Sequence, residues 1–358
     1  MWIPKNDALI GHKDIEGTNF FRRTNGLIAG DSGFSIGLSD KRVLWLFGDS
    51  YIDDMGSDGT VPCHFEARNA AILQSAHDWS QNATKTLIGN NTNGFESLFK
   101  TEEDSKSWFW PEHGVQIKDT VYVYCPEFVA TGSGSFDFES TGNDSWCKMK
   151  FPDMTVSGYT RFQYLNGIDF GAGFVYEKDT NDKHVYAYGQ KPNGQLLGRS
   201  LYVSRFLKDK PEEAFEFWDG KDWVKDVLKA HPLLDDEGDT MSVNKVKDKY
   251  VVLSTEFSIQ CDQGKTIYAR IGDHITGPFT KKMPIYTLED IKYQNHYPFY
   301  YMAISHPELI NDKNELLITY SINNYEPCIE GCPKGRLNPD HYRLQAIRVP
   351  IDLLFKLE

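Results

Sequence analysis

Along the chain, a short apolar stretch opened by polar residues gives way to a turn built from Asp, Lys, Asn or Gly, and a second, more aromatic stretch follows. This strand-turn-strand unit occurs five times. The first copy runs Asp31-Ser-Gly-Phe-Ser-Ile-Gly-Leu, turns at residues 39–42 and returns as Val43-Leu-Trp-Leu-Phe-Gly-Asp49. The second runs Trp110-Pro-Glu-His-Gly-Val-Gln-Ile, turns at Lys118 and Asp119 and returns as Val121-Tyr-Val-Tyr-Cys-Pro-Glu127. The third is Gly171-Ala-Gly-Phe-Val-Tyr, with a turn at 179–182 and a return over 184–190. The fourth opens at Asp239, turns at Lys247 and Asp248 and returns from Tyr250 to Glu256. The fifth opens as His306-Pro-Glu-Leu-Ile, turns at 311–314 and returns as Leu316-Leu-Ile-Thr-Tyr-Ser321. Runs of this length, rich in β-branched and aromatic residues and bounded by turn formers, predict hairpins.

From Asp31, Glu112, Gly171, Asp239 and His306 the spacings are 81, 59, 68 and 67 residues. Each interval holds a four-stranded antiparallel sheet, with outer strands over Arg68–Leu73, Leu201–Ser204 and Thr266–Arg270. The expected fold is therefore all-β: a five-bladed β-propeller in a single domain over residues 1–358, closed by Tyr342–Arg348 with help from the N-terminal segment. A β-sandwich or a two-domain β protein is the alternative, but sandwich strands recur at about 8–12 residues without this longer period. Short helices are expected at Glu212–Phe217 and Trp223–Lys229.

The 358 residues are 40% hydrophobic and 14% aromatic, enough for a large core. The net charge of −13, without clustered Lys and Arg, argues against a nucleic-acid partner. The chain has no run of 18 apolar residues for membrane insertion, and its Met1-Trp2-Ile3-Pro4 start lacks signal-peptide character. A mature, trimmed, monomeric protein of the periplasm or extracellular space is the expectation. Six cysteines are too few for a disulfide scaffold; a local Cys328–Cys332 bridge and two free thiols remain equally open.

The chemistry follows from the hairpins. In an antiparallel pair the first residue of one strand and the last of the next lie at the same sheet edge. Asp31 with Asp49, Glu112 with Glu127, Asp239 with Glu256, and His306 with Ser321 should therefore face one mouth of the axial channel. Any one of these carboxylates taken alone reads more readily as a turn or cap residue than as a site residue; their recurrence at matched positions is what points to a site. Glycosidic hydrolysis needs one carboxyl that holds a proton and one that is ionised, and a crowded acidic mouth provides both. Arg68, Arg161, His113 and His306 are the candidate tuning groups. Tyr51, Trp108, Phe109, Trp110 and Tyr301 are aromatic enough to stack on sugar faces or to pack between blades.

These repeats resemble the five-bladed propeller glycoside hydrolases that include arabinanases, arabinofuranosidases and xylosidases. In family 43 of that group an Asp opens the first blade, a Trp-Ala-Pro-Asp-like stretch the second, a Glu a later blade and a His the last. Asp31, Trp110-Pro111-Glu112, Asp239 and His306 look like the corresponding places, with Glu112 where that family has Asp and Asp239 where it has Glu. The stretch Gly30-Asp31-Ser-Gly-Phe-Ser-Ile-Gly-Leu, followed by Phe47-Gly-Asp49 and by Arg68-Asn69, is more similar to the opening blade of family 183 endo-D-arabinanases. That resemblance implies an Asp31–Asp49 catalytic pair.

The expected function is hydrolysis of an arabinofuranose linkage in an oligo- or polysaccharide. Asp31, Asp49, Glu112 and Glu256 are the candidate catalytic residues. Arg68, Asn69, Trp110, His113, Arg161, Asp239 and His306 are the candidate substrate contacts. A non-catalytic glycan-binding propeller is the first alternative. A polysaccharide lyase, using a Lys, Tyr or His base beside a uronate, is the second. No cofactor is required; a calcium ion is optional, and His306 fits a substrate ligand, an axial ion or water ligand, or a structural residue.

Overall fold

The computed structural model describes residues 9–91, 94–102, 106–132, 137–176, 181–195, 197–238, 240–256, 258, 260–289, 291–324 and 328–357. Asp239 and residues 177–180, which include the start of the third turn, lie outside these. The described residues are nearly all β, with two short helices, Ile15–Phe20 and Ile351–Leu354, and a few single turns of 3-10 helix. None of the helices is long and apolar enough to cross a membrane.

Five antiparallel sheets of four or more strands follow one another along the described chain. The first contains Leu27–Gly37, Val43–Ile52, Ala70–Gln74 and Thr84–Leu87. The second contains Gly114–Ile117, Thr120–Cys125, Ser145–Lys150 and Thr155–Arg161. The third begins Asp169–Tyr176, His184–Pro192, Arg199–Leu207 and continues into a hairpin, Glu216–Trp218 with Trp223–Val224. The fourth is Met241–Val246, Lys249–Thr255, Thr266–Gly272 and Met283–Thr287. The fifth runs Phe299–His306, Glu315–Asn323 and Gln345–Pro350, and its outer edge is His12–Lys13. The N-terminal segment thus completes the last sheet, pairing His12 with Arg348.

The first strand of each sheet packs against the first strand of the next, and that of the fifth returns to that of the first. Alternation along the strands explains how such a propeller-like ring holds together. In Val43–Phe47 every residue is buried, so no polar face is visible in the sequence. Val43, Trp45 and Phe47 nonetheless point to the core shared with the fifth sheet, while Leu44 and Leu46 point to the core shared with the second. Side chains that alternate across a strand fill two different interfaces when the sheet is covered on both faces. The same holds around the ring: Val115, Trp146, Phe170 and Phe174 share a core between sheets two and three. Tyr188, Val203, Val243 and Val252 do so between three and four, and Leu253, Ile267, Ile318 and Ile347 between four and five. Only an outermost strand such as Thr155–Arg161 shows regular alternation between exposed and half-buried positions.

Several expectations are corrected. The inner strand of the fifth sheet is Phe299–His306, not the stretch after His306. Pro307 lacks an N–H and opens a 3-10 turn, Pro307–Leu309, so the strand ends there. His306 consequently stands at the opposite end from the position expected, and Ser321 pairs with Tyr301 instead. The segments read as helices form the added hairpin of the third sheet, with only Val227–Lys229 as a 3-10 turn. Cysteines 328 and 332 do not pair locally: Cys63 bonds Cys332 and Cys261 bonds Cys328, while Cys125 and Cys147 are buried free thiols.

Candidate active site

Asp31 sits at a break in the ladder of the first hairpin. Gly30 pairs with Ser50 and Ser32 with Phe47, so Asp31 alone faces two residues, Gly48 and Asp49. This bulge, with positive φ at Ser32 (71°) and Gly33 (79°), re-aims the strand where it reaches the mouth. Gly48 is required there, because a Cβ on it would lie 2.5 Å from Asp31 Oδ1. The two carboxyls thus meet at this bulge, inside the strands Leu27–Gly37 and Val43–Ile52 and not at their ends as expected.

Their donors come from neighbouring sheets. The Tyr301 hydroxyl, from the fifth sheet, donates to Asp31 Oδ2 at 2.8 Å, and Tyr342 also hydrogen-bonds Asp31. Trp110 donates its indole N–H to Asp49 Oδ1 at 3.0 Å, and Arg68 reaches both oxygens of Asp49 at 3.4 Å. The Arg68 guanidinium lies 3.9 Å from the Trp108 ring centroid and 4.8 Å from that of Phe65, which holds it in place on two aromatic faces. Burial, then the charge of Asp31, pushes Asp49 up to about 7, against the opposing pull of Arg68 and Trp110. Burial also raises Asp31, while the two tyrosine hydroxyls favour its ionised form. The pair therefore divides into a carboxyl that keeps its proton near neutrality and one surrounded by donors.

A second acidic group lies between the second and third sheets. Glu112, Asp169 and Asp144 are brought together with Tyr124 and Arg199. Glu112 and Asp169 hydrogen-bond each other. Burial and then the charge of Asp169 raise Glu112 well above its ordinary value and take Asp144 to about 7. Tyr124 donates its hydroxyl to Asp144. Gly171 leaves the room for Glu112, since any Cβ there would collide with its carboxyl. Neither Asp169 nor Asp144 stood out in the sequence. Asp169 precedes Gly171 by two residues and pairs with Gln190 beside a bulge like that at Asp31, so matching the third hairpin to the first would have found it. Asp144 precedes a third strand and carried no such signal.

Other expected site residues lie elsewhere. Asn69 is fully buried: its amide donates to Phe99 O and Phe109 O and accepts from Phe99 N, so it pins loops. His113 is buried, bonded at Nδ1 to Gly114 O at 3.0 Å and held neutral by burial, with its pKa down to about 4. It lines a different cavity, with Ser35 and Glu308, below the mouth. His306 is completely buried between Ser35 Oγ (2.5 Å) and Thr319 Oγ1 (2.8 Å), against Trp45, which makes it structural in this setting. Glu256 is exposed just past the strand Lys249–Thr255, outside either acidic group. Arg161 is half exposed and 3.8 Å from Glu127, which is itself buried and bonded to Ser107 and Thr141. Among the described residues no three His, Cys, Asp or Glu side chains group as metal ligands.

A family model described as a domain of unknown function, DUF5005, matches residues 14–350, almost the whole chain. The chain belongs to the DUF5005 family. No curated protein sequence matches it. This DUF5005 chain overlays a candidate hydrolase from Bacteroides ovatus ATCC 8483 with a TM-score of 0.77 at 16% identity, over 99% of this chain and 95% of that one. Looser overlaps, too loose to argue from, are with an α-L-arabinofuranosidase from Podospora anserina (TM-score 0.49, 12% identity, 96% and 93% of the two chains) and an endo-arabinase from Bacteroides thetaiotaomicron (0.49, 12%, 92% and 97%). At these identities the likeness is one of fold.

Proposed function

We propose that this DUF5005 protein is a glycoside hydrolase acting on arabinofuranose linkages of an oligo- or polysaccharide, and that its five sheets are the blades of one closed propeller domain. The observation that carries the reading is the division of labour between Asp49 and Asp31. Asp49, with a pKa of about 7, is matched to donate a proton to the leaving glycosidic oxygen as the C–O bond breaks. Asp31, facing two phenolic donors, supplies the ionised carboxylate that meets the positive charge developing at the anomeric carbon; water then adds its oxygen to that carbon and returns a proton to Asp49. Trp110, packed against Phe128 and the exposed Phe138 beside Asp49, offers an aromatic face of the type that sugars stack on. The arabinose preference rests on the family 183-like opening blade. Two disulfides fit an oxidising, extracytoplasmic compartment.

The test is incubation with a panel of arabinose-containing plant and mycobacterial polysaccharides, followed by sizing of the released sugars. Asp31→Asn and Asp49→Asn should each abolish release while retaining the far-UV spectrum of the wild type. Full turnover by both variants would end the assignment.

A further inference from the structure

Asp49 is also one wall of a recess of about 310 Å³ that lies between the loops of the first and fifth sheets. This is near the lower limit for small-molecule sites, the size for a short ligand and not for a run of polymer. Among the described residues, Asp49 is the only charged one lining it. The rest is aromatic or neutral polar, including Phe65, Tyr342, Asn323 and Asn324, which suits an uncharged, hydroxyl-rich ligand.

One wall of the recess is cross-linked. The segment 328–337 is tied at Cys332 to Cys63 of the first sheet's loop and at Cys328 to Cys261 of the fourth sheet's loop. Arg336 and Leu337 pair with Pro62 and Val61, and Arg336 also donates to Thr60 Oγ1 at 2.9 Å and to Thr60 O at 2.6 Å. Cys63, Cys332 and Leu337 all face the recess. Its far side is therefore a strap fixed at both ends, not a mobile loop.

On the same wall, Asn324 donates its side-chain N–H to His341 Nδ1, which fixes the amide orientation. Its side-chain oxygen is buried and has no hydrogen-bond partner among the described residues. An orphaned acceptor of this kind is normally met by a water or a ligand donor. On the other side of Asp49 stands the aromatic group Trp110, Phe128 and Phe138.

We propose that the recess receives the terminal sugar of a glycan chain, with Asn324 accepting a hydrogen bond from one of its hydroxyls, so that the protein cleaves from chain ends. The bond to be broken then lies over Asp49, and the departing chain runs out along Trp110 and Phe138. The strap at 328–337 blocks passage of a chain through the recess. This inference rests on the glycosidase reading above.

The test compares a short linear arabino-oligosaccharide with the same compound capped at its nonreducing end. The wild type should release single sugars from the free form and leave the capped form intact. Asn324→Ala should raise KM by about tenfold, one hydrogen bond's worth, with kcat changed far less. The double variant Cys63→Ser, Cys332→Ser, which loosens the strap, should gain internal cleavage of the capped form. Internal cleavage of the capped form by the wild type, or an Asn324→Ala variant with unaltered KM, overturns the inference while leaving the glycosidase reading intact. No hydrolysis of either form by the wild type overturns both.

Discussion

The indole of Trp110 in the second sheet's opening segment and the carboxyl of Asp49 in the first are joined by a 3.0 Å hydrogen bond across the boundary between two sheets. The bond sets both the orientation of the carboxyl and the position of the aromatic face next to it. Trp110→Phe keeps the ring and removes the donor. Turnover should fall by about tenfold to a hundredfold, as expected for loss of one hydrogen bond to a charged or reacting group. Initial rates of the variant and the wild type on the same arabino-oligosaccharide measure it, and an unchanged rate would exclude a role for this bond in turnover.

Arg68 pulls Asp49 downward while burial and Asp31 push it up. Removing the cation leaves the upward forces unopposed. Arg68→Met, which keeps a side chain between Trp108 and Phe65, should therefore move the alkaline limb of kcat/KM to higher pH. A pH-rate profile with an aryl arabinofuranoside measures it; an unmoved or lowered limb excludes Asp49 as the proton donor.

The same shift makes a statement about stability. Asp49 has a folded pKa of about 7 against 3.8 in its ordinary state. Between those values the folded protein holds a proton that the unfolded chain has released, so this group's contribution is full below pH 4 and is lost as pH rises through 7. Asp49→Asn never ionises and escapes the loss. At pH 8 it should be more stable than the wild type by roughly 1–4 kcal/mol, with the difference shrinking towards pH 4. Thermal melts across that range decide it, and a variant less stable than the wild type at pH 8 would contradict the burial of an ionisable Asp49.

His306 and Asn69 give the opposite signature. Each is enclosed by partners that would be left unsatisfied, so His306→Ala and Asn69→Ala should each cost about 2–4 kcal/mol in denaturant unfolding. Under conditions where the variants remain folded, KM should not change. A KM effect without a stability effect would return either residue to the substrate contacts.

Asp31 and Asp49 could be read from the chain because they flank one short hairpin and hairpin geometry is local, although both strands run on past them, to Leu27 and Ile52. His306 could not be placed in the same way. The residues that follow it look like a strand, and only its pairing with Leu317, with Tyr301 opposite Ser321 at the other end, shows which end of the sheet it occupies. Asn69 follows Arg68 in a stretch that resembled a binding motif, yet its three hydrogen bonds run to segments about 30 and 40 residues away.

The sequence by itself determined the β class, four of the five hairpins, the closing role of the N-terminal segment and an acidic pair on the first hairpin, because strand alternation and turn chemistry act over a few residues. Only the tertiary structure decided the Cys63–Cys332 and Cys261–Cys328 pairings, the Glu112–Asp169–Asp144 group and the recess beside Asp49. These depend on which loops meet when one sheet docks against the next. That is settled by bulges, register and interlocking cores contributed by residues far apart in the chain.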